Sequence, residues 1–426
     1  MIQLRTIRSL VAPIAALALM ASAVSAPAQT VDGKPEVKQA VLDAMTSTIS
    51  KRAFVPGVDF GKWKEFLDQN KEKLDATAND EDFAAVINGA LRKFGLSHIL
   101  LHTPRAADAR RTNSAVGIGI SPQPVDEGIM VMRVIPGAPA QKAGLKPGDI
   151  ILEVDGKKID GTRGIAGAEG TEVKLKVKLS NAEVKDFTLT RARFSTRFPE
   201  ELTVVNSDTV RLEIRTFDLS YDRKNVEKLV TEASSKSKNL ILDLRGNPGG
   251  AVINLQHLLG CFIDPEETVG TFVNRRMLTS YKEETGKEGL NLAEVANWAT
   301  EDNFAQEKVH PFKLDIPRYT GKVVVLVDSG SGSAAEMAAA ALQDVLKAPV
   351  VGRKSAGAVL ASFIVPIANG FQLQYPIQDY VTVKGVRLEG TGVIPDAAAD
   401  GPRFTLPGQQ DPIIEKALAL VVKTGR

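Results

Sequence analysis

In the run VVVLVDSGSGSAAEMAAAALQD, residues 323–344, a continuous apolar stretch gives way to an alanine-rich helical pattern, and Ser333 stands at the junction. Two chemistries fit a serine there. Ser333 and Glu336 have the spacing of a capping box, in which the hydroxyl satisfies helix N–H groups, and spacing alone favours this reading. In the other reading the positive end of the helix stabilises an alkoxide or oxyanion. Gly330 and Gly332 then leave room for substrate, and Ser333 is a nucleophile. A hydroxyl of this kind needs a base, and histidine is the usual one near neutral pH. The four histidines are His98 in FGLSHILL, His102 in LLHTP, His257 in NLQHLLG and His310 in EKVHPFK. A structural or surface role is the default for His257 and His310. His102 stands near a turn without a partner signature, and His98 follows Ser97 at the end of a helical stretch.

The elements that must position these residues are spread over 426 residues, a length that implies two to four domains. Hydrophobic residues at 43% and charged residues at 24% suit globular domains. Lys plus Arg is 53 and Asp plus Glu is 51, so no global field recruits nucleic acid or an anionic membrane. Residues 1–28 carry Arg5 and Arg8, then an apolar run, then the small-residue site SAPA, which is the pattern of a secretory signal cleaved after Ala28. The run is short of the roughly 20 residues needed to span a bilayer. An exported chain, periplasmic or secreted and with no stable membrane span, is therefore expected. Cys261 is the single cysteine, which excludes an intramolecular disulfide and reads as core. No metal or cofactor motif is found, and none is expected.

Residues 29–110 read as a helical region, with apolar spacing in VKQAVLDAM and DFAAVINGALRKFG, followed by RAADARRTNS as a linker. Residues 111–194 switch to short β runs, VGIGI, GIMVMRVI, DIILEVDG and TEVKLKVKL, punctuated by PGAPAQKAGLKPGD. Residues 195–426 alternate strands such as NLILDLRG and GKVVVLVD with helical stretches, which implies a mixed, partly parallel sheet with helical crossovers. Charged, mostly helical text at about 270–319 reads as an insertion. The expected class is multidomain α/β: an N-terminal helical region, an inserted β-sandwich-like module and an α/β core.

The β-rich segment resembles a bacterial PDZ domain, in which a short helix after PGAPA leads into GLKPGDIILEVDG. That resemblance implies that the N–H groups of Ile118, Gly119 and Ile120 receive a peptide carboxylate and that the peptide adds as a strand. Pro122 and Pro124 remove donors from the pairing strand, and IDGTRGIAGAEGT is a poor counterpart of the groove helix. Weak capture or a spacer role follows.

In this order, LILDLRGNPGG, SGSGSAAEMAAAALQD, VVGRKSAG and RLEGTGVIPD resemble the C-terminal processing (tail-specific) peptidases. The resemblance implies Ser333 as nucleophile, Gly249 and the Ala334 amide as oxyanion hole, and protein or peptide substrates. The lysine base of that family is missing, because Ala358 occupies its place and Lys354 lies four residues earlier. The tricorn-type branch of the superfamily is similar instead, with a Ser-His pair ahead of the PDZ domain and a glutamate in EGxGVxPD. These map onto Ser97, His98 and Glu389. His98 would then be the general base, oriented by Glu389 through Ser97. Neighbours on a regular strand point apart, so Ser97 and His98 must sit in a turn. The expectation is an exported serine endopeptidase acting on unfolded or extended polypeptides, with no nucleic-acid partner and with homo-oligomer formation left open. The alternatives are a catalytically silent peptide-binding scaffold, a Ser-Lys dyad using Lys354, and a merely structural Glu389 paired with Arg387.

Overall fold

The computed structural model describes residues 31, 34–159, 161, 164–401 and 409–423; the expected signal segment and its cleavage site lie outside the described residues. The central layer is a six-stranded sheet in the order Glu201–Asn206, Thr209–Glu213, Asn239–Asp243, Lys322–Val327, Val350–Gly352, Ala397–Ala398. Every pair is parallel except the edge hairpin of Glu201–Asn206 with Thr209–Glu213. NLILD and KVVVLV lack polar alternation because both faces are covered. Leu240, Leu242, Val323 and Val325 meet the helices Arg223–Lys236, Val252–Gly260 and Ala334–Val345. Ile241, Val324 and Leu326 turn the other way, onto Ile413 and Ala417 of the helix Pro412–Lys423. Each such side chain contributes about 1.5–3 kcal/mol on burial. Because Asn239–Asp243 and Lys322–Val327 run parallel and in register, the NPGG turn and the loop before Ser333 emerge side by side.

A second, antiparallel sheet is organised by Gln372–Thr382, which pairs with Leu100–His102, Gly270–Asn274 and Ala361–Pro366. Lys308–Val309 extends it beyond Gly270–Asn274. Segment 270–319 thus gives two strands to this sheet, and its helices Arg275–Thr285 and Leu292–Trp298 pack Met277 and Val295 against Val273 and Val381. The helices Pro35–Arg52 and Asp80–Leu91 share one core with the same sheet, through Met45, Phe83 and Ile87 against Leu101, Leu373 and Tyr375. That packing carries the bend at Ser97 and His98 to the end of the long strand.

The β-rich module is a sheet in the order Ile120–Val125, Gly128–Val134, Ile150–Val154, Glu172–Lys178, Val184–Thr190, closed over Ile118, Val131, Ile151 and Leu175. Its entry and exit strands, Ser114–Gly117 and Ala192–Ser195, pair antiparallel, so the module leaves the core and returns at one place. Ile120–Val125 is an edge strand whose register shifts between Ser121 and Pro122, where the N–H donors run out. The stretch RAADARRTNS departs from the linker expectation. Pro104–Thr112 is a helix, started by Thr103 Oγ1 accepting from the Ala106 N–H at 3.2 Å and ended by left-handed Asn113. Proline at the first helical position and three alanines within outweigh the polar composition. Among the described residues, no helix is long and apolar enough to cross a membrane.

Candidate active site

Ser333 joins the loop after Lys322–Val327 to the helix Ala334–Val345 with φ 53° and ψ −122°. For a residue with a Cβ, this backbone costs on the order of 1–3 kcal/mol and persists only when its surroundings impose it. Here the Ser333 N–H donates to the Ala358 carbonyl at 2.9 Å and to Glu336 Oε2 at 3.0 Å. The hydroxyl lies 3.2 Å from His98 Nε2. His98, also at φ 53°, sits in a bend between left-handed Gly95 and the strand Leu100–His102, so it and Ser97 reach the same neighbourhood.

Ser97 Oγ is 2.7 Å from His98 Nδ1 and 2.7 Å from Glu389 Oε2. The Ser97 N–H donates to Glu389 Oε1 at 2.7 Å, and the Val359 N–H donates to Oε2 at 2.8 Å. These contacts fix the proton positions. A carboxylate only accepts, so the Ser97 hydroxyl donates to Glu389, and its lone pair receives Nδ1–H from His98. Nε2 is left with its lone pair towards Ser333. Burial lowers the pKa of His98 and outweighs the attraction of Glu389, which raises it. The imidazole is therefore neutral at neutral pH, the form that accepts a proton.

Gly249, at φ 96°, lies directly against the serine: a Cβ there would meet Ser333 Cβ at 2.6 Å and the Ala334 nitrogen at 2.9 Å. Its own N–H departs from expectation. It donates to Asn247 Oδ1 at 2.9 Å within the NPGG turn, so this donor is already engaged. Asn247, fully buried, also donates from Nδ2 to the Ile214 carbonyl, and its backbone carbonyl accepts the Gly332 N–H. Ala334 is buried at the first turn of the helix behind Ser333.

The other candidates scatter. Lys354 is exposed and does not line the cleft. Arg387 pairs with Asp379 at 2.7 Å, which removes the plain structural account of Glu389. His102 lines the cleft wall and contacts Gln374 at 3.3 Å, and His310 meets Glu301 at 3.1 Å. Ile118, Gly119 and Ile120 lie at the edge of the β-rich module, outside the cleft lining. Sequence reasoning gave Glu336 only a capping role. Its wholly buried carboxylate accepts from Ser333 N–H and Ala358 N–H on one oxygen, and from Ser355 Oγ and Gly357 N–H on the other. The spacing from Ser333 to Glu336 was the available signal, but it said nothing of the loop that folds back onto it.

The cleft is a cavity of about 520 Å³ in which Val252, Phe272, Met337 and Leu360 surround Ser333 and His98. The strand Ala361–Pro366 borders it and pairs on one side only, with Gln372–Thr382. A cleft of mixed polar and apolar lining, with Arg110, Asp218 and Gln374 beside those apolar groups, next to an open strand edge suits an extended polypeptide. Among the described residues no group of three or more His, Cys, Asp or Glu is placed to hold a metal ion.

Residues 208–399 match the profile of Peptidase family S41, and residues 116–189 match that of the PDZ domain. The segment that carries Ser333 and Glu389 is thus similar to peptidase family S41. A "Probable CtpA-like serine protease" of Staphylococcus aureus (strain COL) is 29% identical to this chain over 295 residues, which cover 68% of this chain and 53% of the relative. Its counterpart in Staphylococcus haemolyticus (strain JCSC1435) is 28% identical over 300 residues, with 68% and 53% covered. The chain spans about half the length of the curated relatives it matches. Mature CPAF complexed with lactacystin is similar in fold at TM-score 0.55 and 16% identity, over 91% of this chain and 98% of that one. A putative S41 protease from Bacteroides fragilis NCTC 9343 gives 0.52 at 17% identity, over 73% and 84%. The chain thus shares its mixed α/β architecture with solved structures of low sequence identity.

Proposed function

We propose that this chain is a serine endopeptidase of the S41 kind that cleaves unfolded or extended polypeptides, with Ser333 as nucleophile, His98 as general base, and Ser97 and Glu389 as the pair that positions the base. The observation that carries the reading is the 3.2 Å approach of Ser333 Oγ to a histidine nitrogen whose ring partner is backed by Ser97 and Glu389. Nε2 takes the hydroxyl proton as Oγ attacks the peptide carbonyl, and Glu389, acting through Ser97, stabilises the imidazolium so formed. The imidazolium then gives its proton to the leaving amine. Water, activated in the same way, releases the acyl group and restores Ser333. The Ala334 N–H at the helix start receives the oxyanion, joined by the Gly249 N–H once Asn247 lets it go. The relay follows the tricorn-type Ser-His-Ser-Glu pattern, and the exposure of Lys354 speaks against a Ser-Lys dyad. Export to the periplasm or medium belongs to this reading on the pattern of residues 1–28, and the PDZ module captures polypeptide ends weakly.

A fluorophosphonate probe tests the proposal, because it labels only an activated serine. Labelling is expected at Ser333 in the native chain, absent in Ser333→Ala and much slower in His98→Ala. A folded native chain that resists the probe would leave a peptide-binding scaffold.

A further inference from the structure

A cavity of about 400 Å³ lies between the PDZ edge strand and the peptidase core, with Ser121 and Arg133 on one side and Glu213, Arg215 and Arg245 on the other. Ser121 and Arg133 are paired across the Ile120–Val125 and Gly128–Val134 ladder, so their side chains share a face. Ile120, one position earlier, packs on the PDZ interior. The face carrying Ser121 and Arg133 is therefore turned towards the core arginines.

Charge in this cavity is unequally shared. Glu213 Oε1 lies 3.2 Å from Arg133, and its Oε2 lies 3.2 Å from Arg211 and 3.1 Å from Arg215, so this carboxylate is divided among three guanidinium groups, of which Arg211 also approaches Asp243 at 3.8 Å. The other carboxylate near Arg215 is Glu201, at 3.6 Å with a side chain 54% exposed, where water screens it. Arg215 Nε is buried without a hydrogen-bond partner, and its guanidinium stacks over Phe198 at 5.3 Å, which holds its plane in place. Arg245, by contrast, is spent on Asp243 and Asp411.

We propose that this cavity is a composite anion site, built by the PDZ module and the core together, that reads an acidic penultimate residue on the free carboxyl end of a polypeptide. The proposal rests on the reading of the PDZ module as peptide-binding and adds a sequence preference to it. An end whose carboxylate is held at the 118–120 loop runs antiparallel to Ile120–Val125. Its last residue stands opposite Ile120 with its side chain on the PDZ interior, and the penultimate residue stands opposite Ser121. Alternation then aims the penultimate side chain at Arg133 and Arg215. A carboxylate there adds an acceptor for Arg215, whose Nε has none among the described residues.

The test uses the full chain carrying Ser333→Ala, so that peptides are bound and not cut, and fluorescence anisotropy of three decapeptides. One ends in Asp-Val with a free carboxylate, one in Asn-Val with a free carboxylate, and one in Asp-Val amide. The Asp-Val acid is expected to bind about tenfold more tightly than the Asn-Val acid, as a charge-assisted bond against a neutral one, and the amide weakest. Arg215→Gln should bring the Asp/Asn ratio to about one, while Arg215→Lys should keep most of it. If Arg215→Gln fails to fold, Arg215→Lys and the salt dependence of the ratio decide: the preference must shrink as salt rises. Equal binding of the two acids, with the amide still weak, overturns the arginine site and leaves carboxylate capture standing. Equal binding of all three, or binding of none, overturns peptide capture and the composite site with it.

Discussion

His98 and His257 are each linked to a hydroxyl and a carboxylate, but the two are wired differently. At His98 they stand in series on one nitrogen, Nδ1 to Ser97 to Glu389, and Nε2 is left for Ser333. At His257 they stand on opposite nitrogens, with the Tyr221 hydroxyl 2.9 Å from Nδ1 and Glu227 Oε1 3.1 Å from Nε2. Glu227 accepts from Nε2–H, so Nδ1 accepts from Tyr221, and no ring atom remains for chemistry. Burial lowers the pKa of both rings. A depressed pKa therefore does not distinguish the two rings; the topology of their partners does.

The largest effect that would break this comparison is on turnover. Ser333→Ala and His98→Ala should each lower kcat on an unfolded polypeptide by roughly 10⁴-fold or more, and the double variant should be no worse, because nucleophile and base act as one unit. Additive losses in steady-state assays would separate the two residues and sink the assignment.

Glu389→Gln sharpens the series arrangement. A cost of about 10²-fold in kcat is expected, within the usual reach of acid–base assistance. The pH profile carries the distinctive sign. The neutral form of His98 is the active one, so kcat/KM should rise with pH through an ionisation below the ordinary histidine value of 6.5. The Glu389 charge raises that pKa, so its removal moves the rise to still lower pH even as kcat falls. A loop that had merely shifted would lower activity without this directional move.

His257→Gln tests the other half. It should leave kcat nearly unchanged but strand the buried Tyr221 hydroxyl, a loss of about 1–3 kcal/mol, while the Glu227 side chain, 35% exposed, can turn to water. Thermal unfolding is the measurement. A large loss of kcat at temperatures where the variant stays folded would give His257 a part in the chemistry.

The contrast between the two histidines also marks how far sequence carries. The parallel core was legible in NLILDLRG and KVVVLVD, because continuous apolar strands of that length are buried on both faces. The partnership of Ser97 with Glu389 spans 292 positions, which no local periodicity registers. It entered through resemblance, and its geometry depends on the N-terminal helices packing onto Leu373 and Tyr375. The Pro104–Thr112 helix was hidden by its charge. The capture of the Gly249 amide by Asn247 was hidden because NPGG does not say which N–H the asparagine side chain takes. Of the three arginines on Glu213, Arg211 and Arg215 flank it in the run RLEIR, but Arg133 stands 80 positions earlier and only the folded interface brings it there.

The smallest expected effect concerns the lysine. Lys354 stands in the loop that also supplies the Ser355 hydroxyl and the Gly357 and Ala358 amides to Glu336, so it belongs to a segment that contributes to the site. Its own side chain is exposed, however, and stands outside the lining of the cleft that holds Ser333. Lys354→Ala should therefore leave kcat, KM and the acid-side rise of the pH profile within about twofold of the native chain, since it removes no interaction made only in the transition state. A dyad with Lys354 predicts the opposite, with lost turnover and, in the native chain, a rise that waits for alkaline pH. Measuring the native and Lys354→Ala profiles side by side, with His98→Ala as the reference for a true loss of base, decides between one histidine in series and one lysine in its place.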